Sequence, residues 1–252
     1  LILSDPTEAV DISQLSPDQL SAMRIAEAAQ VQTPYLGIAA LLGVLMLVFW
    51  LKRDLLPRTG EAPSKGLGLH LLSNPRLLFG VIAIFAYVGA EVSIGSVLVN
   101  YLSAPERLGA SEQQAGQLVS LYWGGAMVGR FIGAAIMRRI NPGHILSLFA
   151  LGAIALTATS ALTTGFVSAA TLLAVGLMNS IMFPTIFSQS LRGIGEEAPK
   201  EAGLLCMAIV GGAILPVATG AVADQMGLSL ALAVPVLGYL WIVFFGQHAS
   251  KA

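Results

Sequence analysis

Four side chains stand in stretches that are otherwise too apolar to need them. Glu91 interrupts residues 77–102, a run with no charge between Leu77 and Ala90. Asn100 follows in the same run, Trp123 lies within residues 117–137, and Asn179 within residues 166–191. A carboxylate near the middle of a bilayer costs about 3 kcal/mol even on a lenient insertion scale. A chain tolerates one when it faces a polar pathway, meets a partner or keeps its proton. Carboxylate and amide groups exchange hydrogen bonds with hydroxyls, and an indole face packs against the apolar side of a ring. Glu91, Asn100, Trp123 and Asn179 are therefore the residues expected to line a polar pathway. No catalytic residue, cofactor or metal ligand set is expected. The three histidines, His70, His144 and His248, are scattered, and Cys206 is the only cysteine.

A second group suits movement rather than binding. Pro184 and Pro216 fall inside apolar runs, and each removes a backbone hydrogen bond from a helix. Gly125, Gly129 and Gly133 form a four-residue ladder that lets another helix approach closely. Trp123, Met127 and Arg130 fall nearly opposite that ladder. Arg130 lies roughly 12 Å inside the end of its run at 1.5 Å per residue. It either snorkels toward the surface or makes a specific ion pair. Arg130, or the pair Arg138 and Arg139, is expected to bond Glu197 or its neighbours Glu196 and Glu201 in a closed gate. For Arg138 and Arg139 the alternative is anchoring at anionic lipid headgroups.

The elements that must position these residues follow from composition. Hydrophobic residues make up 56 % of the 252 and charged residues only 11 %, against about 25 % charged in soluble domains. The class is an all-α membrane protein. Seven runs are long enough to cross a bilayer: residues 34–51, 77–102, 117–137, 145–162, 166–191, 204–222 and 228–245. Ser16-Pro17-Asp18 offers an N-cap and a first-turn proline for a short helix through Ala29. Residues 1–33 otherwise read as a solvated loop. With a net charge of -1 and no basic stripe, nucleic acid is excluded as a partner.

Alternate loops collect the basic residues. Ten of the 13 Lys and Arg residues fall on one side, led by Lys52, Arg53, Arg58, Lys65, Arg76, Arg138, Arg139, Arg192 and Lys200, and only Arg24 and Arg107 on the other. The positive-inside rule makes the basic side cytoplasmic. The expected order is an extracytoplasmic loop (1–33), one span (34–51), a cytoplasmic connector (52–76), six spans (77–246) and a cytoplasmic tail (247–252). The six spans fit a 3+3 inverted repeat, with Glu91 and Asn179 as the mid-span polar residues of the two leading helices. One conflict remains in the second span. Glu91 lies about 200° around a straight helix from Ser93 and about 180° from Asn100, so both faces can point at one cavity only if the helix bends or unwinds, and Gly89 and Gly95 are the places for it.

Three motifs then carry a resemblance. Tyr87–Tyr101 (YVGAEVSIGSVLVNY), Tyr122–Gly133 (YWGGAMVGRFIG) and Met178–Ser188 (MNSIMFPTIFS) resemble sugar transporters of the major facilitator superfamily. The nearest likeness is to the fucose–galactose–glucose:proton symporter family and its bacterial glucose/galactose members. Val210–Pro216 followed by Gly220–Asp224 fits the same family. The resemblance runs from about Pro34 to Phe245. It implies the sixth helix plus the six-helix C-terminal half of a twelve-helix transporter in a bacterial inner membrane. It further implies secondary active transport of a glucose-, galactose- or fucose-like hexose by alternating access, with Glu91, Asn100, Trp123 and Asn179 expected to bind the sugar, the proton as coupling ion and the first half of the transporter as partner. In the L-fucose permease branch the coupling carboxylates lie in that first half, so none is assigned here.

The chain opens on Leu1 without a charged leader, and is expected to be a fragment. A seven-helix receptor or retinal protein is the competing reading of the span count, but no lysine lies within the spans for a Schiff base. A non-transporting membrane scaffold is the third.

Overall fold

The computed structural model describes residues 16–53, 68–192 and 198–251, in two compact units, Leu1–Ser64 and Lys65–Ala252. Among the described residues, seven helical segments are long and apolar enough to cross a membrane, and all secondary structure is helical. They match the seven expected runs one for one.

Among the described residues the first unit holds one α-helix, α1 (Pro17–Leu51), of 35 residues. Its start is the expected one. Ser16 accepts from the backbone of Gln19, the Gln19 side chain returns a bond to the Ser16 backbone, and Pro17 occupies the first turn. Its length is not. The expected surface helix runs on into the apolar span through Pro34 without a break, since a proline costs one ladder bond and the long helix supplies the rest. The large apolar side chains Tyr35, Leu36 and Ile38, and those from Leu41 to Leu51, are exposed, as suits a surface meant for lipid.

The second unit is built around α2 (Pro75–Ser103). Asn74 caps it by accepting from the Arg76 amide at 3.0 Å, and Pro75 fills the first turn. It is followed by α3 (Glu112–Ile136), with a Ser111–Gln114 capping box, and α4 (Pro142–Leu162), capped by Asn141. The fifth span is split into α5 (Gly165–Asn179) and α6 (Met182–Ser190). The sixth is α7 (Ala198–Met207), a 3-10 turn at Ala208–Val210, and α8 (Gly211–Met226). The seventh is α9 (Leu228–Ala231) and α10 (Ala233–Ser250). Helix α2 packs against α3, α6, α8 and α10, and α4 against α5 and α10. The core is continuous, with Tyr87, Ile94, Leu98, Tyr122, Leu172, Tyr239 and Phe245 among its fully buried side chains.

For Ser93 the conflict in α2 is resolved without unwinding the helix. The helix runs unbroken through Gly89 and Gly95. Its two polar faces serve different neighbours: Ser93 is buried and receives a bond from Thr219 of α8 at 3.0 Å, while Glu91 lies on the side toward α3. Gly89 gives room to the Leu215 side chain instead of a hinge.

The glycine ladder of α3 has a definite address. A Cβ on Gly125 would press on Leu177, one on Gly129 would overlap Ser180 and the Leu177 carbonyl, and one on Gly133 would overlap Ile181. The ladder therefore seats α3 against the break between α5 and α6. Gly176, on the facing side, lies against the Tyr122 carbonyl.

Candidate functional site

Glu91 and Asn179 meet in one hydrogen-bonded network at mid-span. Tyr87 donates to Glu91 Oε1 at 2.6 Å and also lies 3.2 Å from the Asn179 carbonyl. Tyr87 and Glu91 are four residues apart, so they share a face of α2. The Asn179 side chain is held at both ends: its Nδ2 donates to the Tyr122 hydroxyl at 2.8 Å, and its Oδ1 accepts from the Tyr239 hydroxyl at 2.8 Å. Tyr122 in turn donates to the Glu91 carbonyl at 3.3 Å. The network thus joins α2, α3, α5 and α10. A buried asparagine without partners would cost about 1–3 kcal/mol, and here the tyrosine hydroxyls remove that cost.

The members differ in access. Asn179, Tyr122 and Tyr239 have no exposure, and Tyr87 only 2 %. Glu91 is half-buried, so its carboxylate forms the open edge of the network. Trp123 is 48 % exposed, and its ring meets Tyr122 edge-on at 5.2 Å. A Cβ on Gly95 would stand 3.4 Å from the Trp123 indole. Since Gly95 is one turn beyond Glu91, indole and carboxylate occupy the same side of α2. Arg130, two turns along α3 from Trp123, is exposed. Its Nε donates to the Ser180 carbonyl at 3.2 Å.

Glu91, Trp123 and Asn179 are thereby brought together, with Asn179 behind the other two. Asn100 is exposed on α2, roughly 13 Å further along at 1.5 Å per residue. Pro184 is exposed and follows the break in the fifth span, and Pro216 lies within α8. Arg138 and Arg139 are exposed at the end of α3. Glu196 and Glu197 lie outside the described residues, and Glu201 is buried.

Sequence reasoning missed the three tyrosines. The four-residue spacing of Tyr87 and Glu91 was a usable signal. Tyr239, in another span 60 residues from Asn179, offered none. It also missed Arg107, which is 8 % exposed in the turn between α2 and α3. Its guanidinium donates to the carbonyls of Ser160 and Thr163, to Ser168 Oγ at 2.6 Å and to Ser229 Oγ at 2.5 Å. It also stands 4.5 Å over the Tyr101 ring.

A mid-bundle polar network beside a broken span suits a solute carrier, and comparison with known proteins agrees. Residues 22–203 match the family model for the Major Facilitator Superfamily. The chain belongs to this superfamily. It is 46 % identical over 228 residues to a glucose/galactose transporter of Brucella abortus, covering 90 % of this chain and 55 % of that protein. A putative glucose/galactose transporter of Helicobacter pylori is 42 % identical over 241 residues, with 93 % and 58 % covered. The L-fucose-proton symporter of Escherichia coli is 32 % identical over 268 residues, with 100 % and 59 % covered. A crystal structure of the E. coli fucose:proton symporter superposes with a TM-score of 0.81 at 28 % identity, covering 98 % of this chain and 62 % of that one. The chain spans little more than half the length of these relatives, and it is a multi-pass membrane protein.

Proposed function

We propose that this chain forms the second half of a hexose transporter working by alternating access, with glucose- or galactose-like sugars as substrate and protons as the coupling ion. The reading rests on one observation above all. The half-buried Glu91 carboxylate sits at mid-span, oriented by Tyr87 and backed by the Asn179–Tyr122–Tyr239 chain, with the Trp123 indole beside it. Sugar hydroxyls donate to Glu91, and Trp123 packs on the apolar face of the ring. Asn179 acts from behind by fixing the tyrosines, and Asn100 meets the sugar further along the pathway. The named activities of the relatives, glucose/galactose transport and fucose–proton symport, support the substrate class and the coupling ion. The first half of the transporter completes the cavity, and residues 52–76 join the halves on the cytoplasmic side. Arg138 and Arg139 close that side against the loop that holds Glu197.

The test is uptake of labelled D-glucose and D-galactose into proteoliposomes by a full-length transporter containing this segment. Uptake that rises with an inward proton gradient and is abolished by a protonophore is expected. Gradient-insensitive uptake would remove the coupling, and none at all would remove the reading. Orientation has its own check. Externally added thiol reagents should label a cysteine placed at Ala110 and spare one at Asn141, and the reverse pattern would invert the topology.

A further inference from the structure

The break in the fifth span leaves two successive backbone carbonyls, Asn179 and Ser180, at its edge. In an intact helix the Ser180 carbonyl would accept from the amide four residues on, but that residue is Pro184, which has no N–H. Arg130 supplies the missing donor through Nε at 3.2 Å. The Asn179 carbonyl is met by the Tyr87 hydroxyl at 3.2 Å. Two residues from two other helices thus take the carbonyls of one hinge, and the glycine ladder brings α3 close enough for Arg130 to do so. Residues 179–181 are also the point where Thr185 resumes the ladder by donating to Ile181 at 3.1 Å.

We propose that Tyr87 and Arg130 are positioning residues that clamp the broken fifth span and pass the occupancy of the sugar site to it. The proposal rests on the transport reading above for its ligand but not for its hinge. A tyrosine hydroxyl has one proton to donate. In this structure it is shared between Glu91 Oε1 and the Asn179 carbonyl, with the carboxylate the nearer at 2.6 Å. When sugar hydroxyls donate to Glu91, the carboxylate competes less for that proton, and Tyr87 tightens on Asn179. The empty and loaded states then differ by a defined contact at the hinge, which is what a ligand needs in order to shift a conformational equilibrium. Arg130 keeps the second carbonyl satisfied as the span flexes, in the way irregular backbone inside a membrane is re-satisfied by neighbouring side chains.

The test uses a full-length transporter containing this segment, with Cys206→Ser, and spin labels at the exposed positions Phe166 and Ser188 on either side of the break. Pulsed EPR reads the hinge without sugar, and uptake and sugar binding are measured alongside. Arg130→Gln is expected to broaden the distance distribution and to lower the maximal uptake rate about tenfold, while sugar affinity stays within about twofold. Pro184→Ala restores an amide able to donate to Ser180, so adding Arg130→Gln to it should leave the distribution unchanged. If Arg130→Gln fails to reach the membrane, Tyr87→Phe gives the same reading at the Asn179 carbonyl. The clamp is overturned if Arg130→Gln weakens sugar binding tenfold with an unaltered distribution, which would make it a ligand contact. It is equally overturned if the effect is the same with and without Pro184, or if neither Arg130→Gln nor Tyr87→Phe changes the distribution. A wild-type protein that moves no hexose would sink the transport reading, while the distance measurements would still decide the hinge.

Discussion

Two polar clusters lie within the six-helix unit, and they are built from similar parts. One surrounds Asn179 and Glu91, the other Arg107. Both use a buried tyrosine, both include bonds between residues more than 50 apart in sequence, and both hold a charged group inside an apolar bundle. They differ in where that charge ends up. Arg107 is enclosed: serine hydroxyls and helix-end carbonyls take its donors and the Tyr101 ring covers it. Tyr101 itself bonds Ser160 and Ser168, so the cluster closes on itself. Glu91 has one oxygen held by Tyr87 and an open side toward Trp123. A satisfied, closed cluster adds rigidity, and a satisfied network with one open carboxylate adds a place for a ligand. The first reads as a staple between the ends of four spans, the second as a site.

The largest effect should come from the closed cluster. Arg107→Ala leaves buried carbonyls and hydroxyls without a donor, at about 1–3 kcal/mol for each group left unsatisfied. The melting temperature of the purified transporter should fall steeply, while the folded fraction keeps its sugar affinity within about twofold. A loss of affinity with normal melting would erase the distinction between the clusters.

At the open network the effect is smaller and falls on binding. Asn179→Ala frees Tyr122 and Tyr239 from their shared anchor. Sugar binding measured by calorimetry should weaken about tenfold or more, on the cost of about 1–3 kcal/mol for an unpaired polar group. Unchanged binding would take Asn179 out of the site's support.

Smaller again is the packing beneath it. Gly176→Ala drives a Cβ into the Tyr122 carbonyl, and overpacking of this kind costs about 1–3 kcal/mol. Gly124→Ala, on α3 with no neighbour within 4 Å of the added carbon, should stay within about 0.5 kcal/mol. Thermal melts of the pair compare them, and equal melting would mean that the approach of α3 to α5 is not held by Gly176.

Much of this was legible before the structure. The seven spans, the cap at Ser16 and the packing use of Gly125, Gly129 and Gly133 follow from apolar run length, capping chemistry and small-residue spacing, all of which are local. Glu91 and Asn179 stood out because each is expensive where it lies. What could not be read was which distant groups meet that expense. Tyr122 and Tyr239 look like ordinary apolar-span aromatics until the fold brings them to Asn179. Arg107 looked like one charge in a short loop, because its acceptors lie 53 to 122 residues away. The direction of Arg130 was open for the same reason: its acceptor is a backbone carbonyl freed by Pro184 on another span. Helix α2 does not unwind at Gly89 or Gly95, and Ser93, which shared the polar face opposite Glu91, has a buried partner of its own in Thr219.

The central claim is that the open carboxylate of Glu91 receives the sugar, and Glu91→Gln tests it most directly. Glutamine keeps the volume and can still accept from Tyr87, so folding should be spared. Calorimetric titration of the purified full-length variant with D-glucose and D-galactose should show affinity at least about tenfold below wild type, with the melting temperature unchanged. Wild-type affinity for both sugars in that variant would contradict the account.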